Sequence, residues 1–337
     1  MIINDVIKDH ICSDTPFAFI RFPQESKFYL IIPDEKGANK YIFHSFDSSK
    51  NYEFRFSFLT PLNYSELSDL NEIHLSESLI DNSTISIDNY IQLIDKAISI
   101  LKLGNMDKIV LSRDKWISNS SICPLKSFRY LADQYPNSFI HLSYWNKNEV
   151  WLGATPETLG SWENSVFTTM ALAGTLPDNE SSEWQTKEKD EQQYVTDYIL
   201  KQLKKLSVKP LNIRGPESLH LGIVKHLVTY FSFPLEDKQK IKDIISGLHP
   251  TPAVCGLPTK ESKEFILNEE SYSRDFYSGY IGIQTESYEK YYVNLRCSKL
   301  YNNGALLFVG GGITAQSNPE KEWKETEFKA KFISDSL

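Results

Sequence analysis

At 337 residues the chain is long enough for one large domain or two, and it can bury roughly three quarters of its unfolded surface. Hydrophobic content of 41% and aromatic content of 13% are those of a well-cored globular protein. The formal net charge of -8 argues against a nucleic-acid-binding or anionic-membrane surface, so an anionic ligand would need positive charge concentrated locally. The first eighty residues alternate short β-rich runs with polar turns, and strands are expected at 17–22, 28–32, 41–44 and 52–59. A helix follows at 88–102, with Ile91, Ile94, Ile98 and Leu101 at helical spacing and Gly104 ending it. Next come a strand at 108–113, a short helix at 125–134, and strands at 139–145, 149–154 and 166–171. A long polar helix is expected at 182–206, an apolar β-branched stretch at 220–231, and helices at 238–248 and 261–272. Paired strands at 280–284 and 291–297 lead to the tight turn Asn302-Asn303-Gly304 and a strand at 305–309. Helices interrupting mostly hairpin-connected strands give the class α+β, with no repeat and no low-complexity linker.

The C-terminal stretch carries the densest chemistry. Asn318-Pro319 reads as a helix start, and Glu322, Glu325 and Lys329 then share one helical face. Just upstream, Gly310-Gly311-Gly312 reads as a loop of bare backbone N–H groups, free of the spacing a dinucleotide loop requires. Two carboxylates and an amine beside such a loop suit a divalent cation and a carboxylated ligand; alone, the segment reads first as a solvated amphipathic helix.

Other residues are equally two-sided on local grounds. Lys108 opens an apolar strand, as a surface lysine or as a desolvated general base. Glu157, in Gly153-Ala154-Thr155-Pro156-Glu157, is a turn acid or, if buried, a general acid. Ala173, Gly174 and Thr175 lie where small residues permit close approach of a ligand, or simply pack. Arg296 stands alone in an apolar strand, where burial calls for an anionic partner, whether ligand or salt bridge. His220 and His226 lack zinc spacing and read as structural. Cys12, Cys123, Cys255 and Cys297 are scattered, as reduced thiols in a cytoplasmic protein would be, and no leader or membrane-spanning run is visible.

In their order, Lys108 to Arg113, Gly153 to Glu157, Leu172 to Thr175, Lys187 to Glu191, Leu248 to Val254, Arg274 to Gly279, Val293 to Cys297 and Gly310 to Lys329 resemble the chorismate-utilising enzymes, and within them the isochorismate synthases. The resemblance implies one α+β domain over 1–337, with two stacked, mainly antiparallel sheets and outer helices. Residues 1–90 would form a variable strand-rich part, and 91–337 the part that bears the motifs. It implies chorismate as substrate, Mg2+ as cofactor, and neither nucleic acid, membrane nor an obligate protein partner. By the same resemblance Lys108 activates water to attack C2 of the ring and Glu157 protonates the departing C4 hydroxyl. Glu191 and Glu325 would bind the metal directly, and Glu322 through water. Arg296, Lys329, Tyr280, Gly174 and the backbone of Gly310, Gly311 and Gly312 would position the substrate carboxylates. Ala173 and Thr175 would flank them, and His249 would lie close to the ring. A lysine rather than a glutamine at 108 favours water over ammonia, and Ala253 is associated with stopping at isochorismate. The phrase Leu-His-Pro-Thr-Pro-Ala-Val and the short N-terminal part resemble the menaquinone type. Gln192 stands where the family often has histidine, and Gly311 where it often has alanine, which puts fine geometry in question but removes no ligand. A salicylate synthase and a silent chorismate-fold binding protein are the alternatives.

Overall fold

Short runs of β-branched and aromatic residues lay down strands, while apolar residues three and four apart lay down helices that cover them. The computed structural model describes residues 3–70, 73, 75–77, 84–178, 183–222 and 224–337. The chain begins with α1 (Ile3–Cys12), β1 (Phe17–Arg21), β2 (Phe28–Ile31), β3 (Asn39–His44), β4 (Asn51–Phe56) and β5 (Thr60–Leu62). After α2 (Tyr64–Ser68) and α3 (Ile87–Leu101) come β6 (Lys108–Ser118), α4 (Pro124–Gln134), β7 (Phe139–Asn146), β8 (Glu149–Thr155), β9 (Thr158–Glu163) and β10 (Val166–Pro177). Then follow α5 (Thr186–Lys205), β11 (Asn212–Leu221), β12 (Val224–Pro234), α6 (Lys240–Leu248), β13 (Gly256–Leu257) and α7 (Thr259–Glu269). The chain closes with β14 (Tyr280–Gln284), β15 (Tyr288–Val293), β16 (Cys297–Tyr301), β17 (Gly304–Ile313) and α8 (Pro319–Ser334).

Among the described residues the strands form two sheets, ordered β13-β6-β17-β16-β8-β7-β1-β2-β5 and β11-β12-β10-β9-β15-β14-β3-β4. Neighbouring strands in both run antiparallel. The α+β class and the stacked sheets are as expected. Strands β1, β2 and β5 join one sheet and β3 and β4 the other, so residues 17–62 are woven into both layers.

The sheets pack on a shared core that includes Ile20, Phe43, Phe139, Trp151, Phe276, Tyr292 and Phe308. Phe43 stacks on Phe276 at 4.4 Å, and Phe139 on Tyr292 at 4.1 Å, each pair crossing or lining the seam. On the outer face of the first sheet, Ile140 and Leu142 meet Phe128 of α4 and Ile333 of α8. On that of the second, Phe167 and Phe231 meet Val195 and Ile199 of α5 and Ile244 of α6. Each such large side chain contributes about 1.5–3 kcal/mol of burial free energy.

Three differences from the sequence expectation have clear causes. Residues 3–12 form a helix, because Ile3, Ile7 and Ile11 make one apolar stripe that packs on the first outer core. Strand β11 was not anticipated; its side chains are almost all exposed, so it is held by backbone pairing to β12 and has no hydrophobic pattern to read. The apolar run 291–297 is two strands, not one. It breaks at Asn294, Leu295 and Arg296, where the chain leaves the second sheet at β15 and enters the first at β16. The expected helix start at Ser182 lies outside the described residues; the helix itself is described from Thr186.

Candidate active site

A cavity of about 170 Å³ opens between the ends of β6, β10 and β17, the start of α5, and α8. Lys108 opens β6 at its floor. It is buried, with Nζ 3.7 Å from Glu191 Oε2 on α5. Glu157 sits in the turn between β8 and β9, also buried, and accepts a hydrogen bond from Thr251 Oγ1 at 3.5 Å. Burial lifts its carboxyl to about 8, although the charge of Lys108 and the Thr251 hydroxyl pull it back. A protonated acid and a buried amine therefore line one cavity at neutral pH.

The three C-terminal functional side chains do project from one face of α8, whose start is capped by Asn318 accepting from the Lys321 N–H. Lys329 Nζ lies 2.7 Å from Glu325 Oε1 and donates to the Gly310 carbonyl at 3.0 Å. About a third of the Glu325 side chain stays open to the cavity. Burial raises the Glu325 pKa, but Lys329, Lys187 and Lys108 outweigh it and hold the carboxyl below its ordinary value. Glu322 lies behind Gly311 and is buried, with Oε1 3.2 Å from Lys187 Nζ and Oε2 without a hydrogen-bond partner. Burial first, then the charge of Glu325, lifts its pKa. Lys187 also stands 3.9 Å from Glu191. Glu191 and Glu325 thus share one wall, with Glu322 behind it, and each of the three leans on a lysine. Among the described residues no three Asp, Glu, His or Cys side chains are gathered as an ion would require.

The triple glycine is strand and not loop. Gly310, Gly311 and Gly312 pair with Ser112, Leu111 and Val110 of β6. Their use is room. A Cβ on Gly312 would stand 2.6 Å from Lys108 Cε and 3.4 Å from Glu191 Oε2, and one on Gly311 would stand 3.3 Å from Glu322 Oε2. Gly174 breaks the register of β10 at φ +72°, and a Cβ there would meet the Glu188 carbonyl at 2.8 Å. Ala173, Gly174, Thr175 and Ala253 line the cavity as expected.

Arg296 reaches the cavity from the break between sheets, not from within a strand, and takes φ +48° there. No described carboxylate forms an ion pair with it, so the structural salt bridge considered from sequence is absent among the described residues. Its guanidinium lies 4.0 Å from the Phe332 ring centroid, and Nη1 is buried without a partner. Desolvation lowers its pKa to about 10, which leaves it fully charged at neutral pH.

Three expected residues fall outside the lining: Glu322, behind Gly311, and two that lie elsewhere. Tyr280 is not among the cavity-lining residues; it stacks on His44 at 4.6 Å, and Tyr277 lines the cavity in its place. His249 is also outside the lining, its Nε2 bonded to the Ser278 carbonyl at 2.9 Å and its ring against Tyr280. Sequence reading also missed Lys187, Glu188 and Phe332, and set His226 aside as structural although it too lines the cavity. The spacing of Lys187 one turn before Glu191 was the available signal. His220 is exposed and pairs with Asp178 at 2.8 Å, away from His226, so the two histidines share no ion.

Frame and cavity together define a class: a small-molecule enzyme on two stacked antiparallel sheets, with its site at their seam. Within it the chain belongs to the chorismate binding enzymes, whose family model matches residues 54–337. Isochorismate synthase MenF of Escherichia coli K12 is 30% identical over 254 residues, 71% of this chain and 58% of that one. Its Haemophilus influenzae counterpart is 29% identical over 250 residues, 70% of this chain and 57% of the relative. The matches therefore span under two thirds of these relatives' own lengths. The solved structure of the menaquinone-specific isochorismate synthase MenF of Escherichia coli shares the fold, with a TM-score of 0.79 at 22% identity over 96% of this chain and 89% of that one. Among the described residues, no helix is long and apolar enough to cross a membrane.

Proposed function

We propose that the protein is an isochorismate synthase acting on chorismate, an isomerase that moves hydroxyl from C4 to C2. The observation that carries this is the pairing of a protonated, buried Glu157 with a buried Lys108 in one cavity that also presents Arg296 and Lys329. Lys108, having given up its own proton, takes one from water as the water's oxygen bonds to C2. The ring double bonds shift, the C4–O bond breaks, and Glu157 gives its proton to the departing hydroxyl, which leaves as water. Water is consumed and released, so atoms balance. Arg296 and Lys329 hold the substrate's carboxylates, and Tyr277 and Phe308 wall off the ring. Orientation and two proton transfers supply the rate.

A divalent cation, Mg2+ by the all-carboxylate donor set, would be held directly by Glu191 and Glu325 and through water by Glu322, once these side chains turn from the lysines they lean on. The buried Glu322 Oε2, which has no hydrogen-bond partner, fits that role as a free acceptor for a water on the ion. When bound, the ion would neutralise a substrate carboxylate. The names of the relatives favour the menaquinone branch, and four cysteines without disulfides fit a reducing cytoplasm.

Chromatography of products after mixing protein, chorismate and Mg2+, with and without chelator, tests the reading. Isochorismate without pyruvate, lost on chelation, is expected. Salicylate with pyruvate would move the protein to the eliminating branch, and unchanged chorismate would sink the enzyme reading.

A further inference from the structure

We propose that His226 is a positioning residue that aims Arg296 at the substrate, through a relay running from Gly174 to the guanidinium. The inference rests on the function proposed above only for the identity of the carboxylate that Arg296 receives.

The hydrogen-bond logic fixes the ring. His226 Nδ1 lies 3.1 Å from the Gly174 carbonyl oxygen, an atom that only accepts, so Nδ1 carries the hydrogen. That leaves a lone pair on Nε2, which stands 3.0 Å from Nη2 of Arg296, a group that only donates. The Thr175 hydroxyl, 3.2 Å from Nδ1, is free to rotate and accept as a second partner. One tautomer of the neutral imidazole satisfies every contact, and an imidazolium would turn a proton against the guanidinium. Burial, with the charges of Arg296 and Lys329, drives the ring's pKa down to about 3, in agreement with that geometry.

The fold explains why the relay is needed. Arg296 sits on a left-handed residue between two sheets, without the neighbours a strand would provide. A long side chain there has many rotamers to lose. The face of Phe332 restrains the guanidinium plane, but only an in-plane acceptor fixes its rotation. His226 is that acceptor. It is placed by β12, directly across from Thr175 at the register shift that Gly174 creates. Nη1, buried and unpartnered, is left for an anion. A carboxylate in the acceptor's place would pair with Arg296 and neutralise the charge the substrate needs. A neutral ring orients the cation and leaves its charge intact.

The reading separates positioning from proton transfer. Gln at 226 places an amide oxygen near the Nε2 position and should keep the Arg296 contact; Asn keeps only the Gly174 contact, and Leu keeps neither. Steady-state kinetics with chorismate and Mg2+ should give KM rising in the order wild type, His226→Gln, His226→Asn, His226→Leu. The last is expected to be on the order of tenfold to a hundredfold above wild type, from loss of a charged hydrogen bond, with kcat changed several-fold less than KM. A fall in kcat at constant KM in all three variants would make His226 a proton-transfer group and overturn the proposal. Independently, NMR of the wild-type protein carrying ¹⁵N-labelled histidine should show the signal lost in His226→Gln as a neutral ring protonated at Nδ1. The Nε2 tautomer, or an imidazolium at pH 7, would overturn it too. If the wild type leaves chorismate untouched, the proposed function falls, and the NMR result alone decides the relay.

Discussion

A buried carboxyl keeps its proton when the cost of lost hydration outweighs the cations near it, and Glu157 is in that state with its pKa near 8, the charge of Lys108 offsetting only part of that cost. Turnover is therefore expected to fall as pH rises through about 8, when the donor proton is lost, and a rate profile from pH 6 to 9.5 measures this. Glu157→Gln should lose roughly 10²- to 10⁴-fold in kcat and lose the alkaline limb as well; a limb that survives in the variant would assign it to another group. Lys108→Ala should cost a similar factor, and Lys108→Arg should not restore activity, since a guanidinium cannot give up its proton at working pH. Lys108, Glu157, Arg296 and the α8 carboxylates were legible because their motifs fix both residue type and order. Tyr277 was not legible. Ser278 adopts φ +61°, which turns the chain so that Tyr277 faces the cavity and Tyr280, three residues on, faces His44. Spacing within a turn does not reveal that reversal.

One buried side chain of β6 is among the groups that dock α8. Arg113 donates from Nε to Thr326 Oγ1 at 2.8 Å, pairs with Glu327, and lies 3.9 Å from the Trp323 ring centroid. Arg113→Ala should destabilise the protein by about 2 kcal/mol or more from the charged hydrogen bonds alone, read by denaturant unfolding. It should also weaken chorismate binding, because Glu322, Glu325 and Lys329 move with their helix. An unchanged midpoint would mean that apolar packing alone docks α8. Gly312→Ala tests the glycine strand. Its Cβ would displace Lys108 Cε, so activity should fall at least tenfold, with a melting temperature within a few degrees of wild type. Activity near the parental level would show that Lys108 has room to spare. The end helix was legible from its Asn-Pro start and charge spacing. The glycine run was misread because glycine disfavours strands, and only the side chains arriving from β6, α5 and α8 explain its place in one.

Protons couple to the whole fold through three histidines held neutral inside it. Burial, the leading cause in each, lowers His141, His226 and His249 from 6.5 to about 3. Between those limits the unfolded chain binds protons that the native protein does not, so stability must fall as pH drops below about 6.5. Glu157 has the opposite sign: raised from 4.5 to about 8, it holds a proton that unfolding releases, and its contribution is lost as pH rises through 8. Calorimetry should find a lower melting temperature at pH 5 than at pH 7; a flat profile would mean that these rings are solvated. At this scale the class was legible from hairpin-like spacing and the two-layer plan from the family resemblance, whereas assignment of strands to layers was not, since the mostly apolar run 291–297 reads as one strand and hides the hand-over at Asn294, Leu295 and Arg296. Asn294 is pinned there by His141 Nε2 at 3.1 Å and by its own donation to the Phe276 carbonyl at 3.0 Å. The cation proposed to receive the ligand is therefore mounted on the link between two plates. It works as a gauge of their alignment: a core substitution that shears one layer against the other by a fraction of an ångström should register in ligand affinity while the melting curve still looks intact.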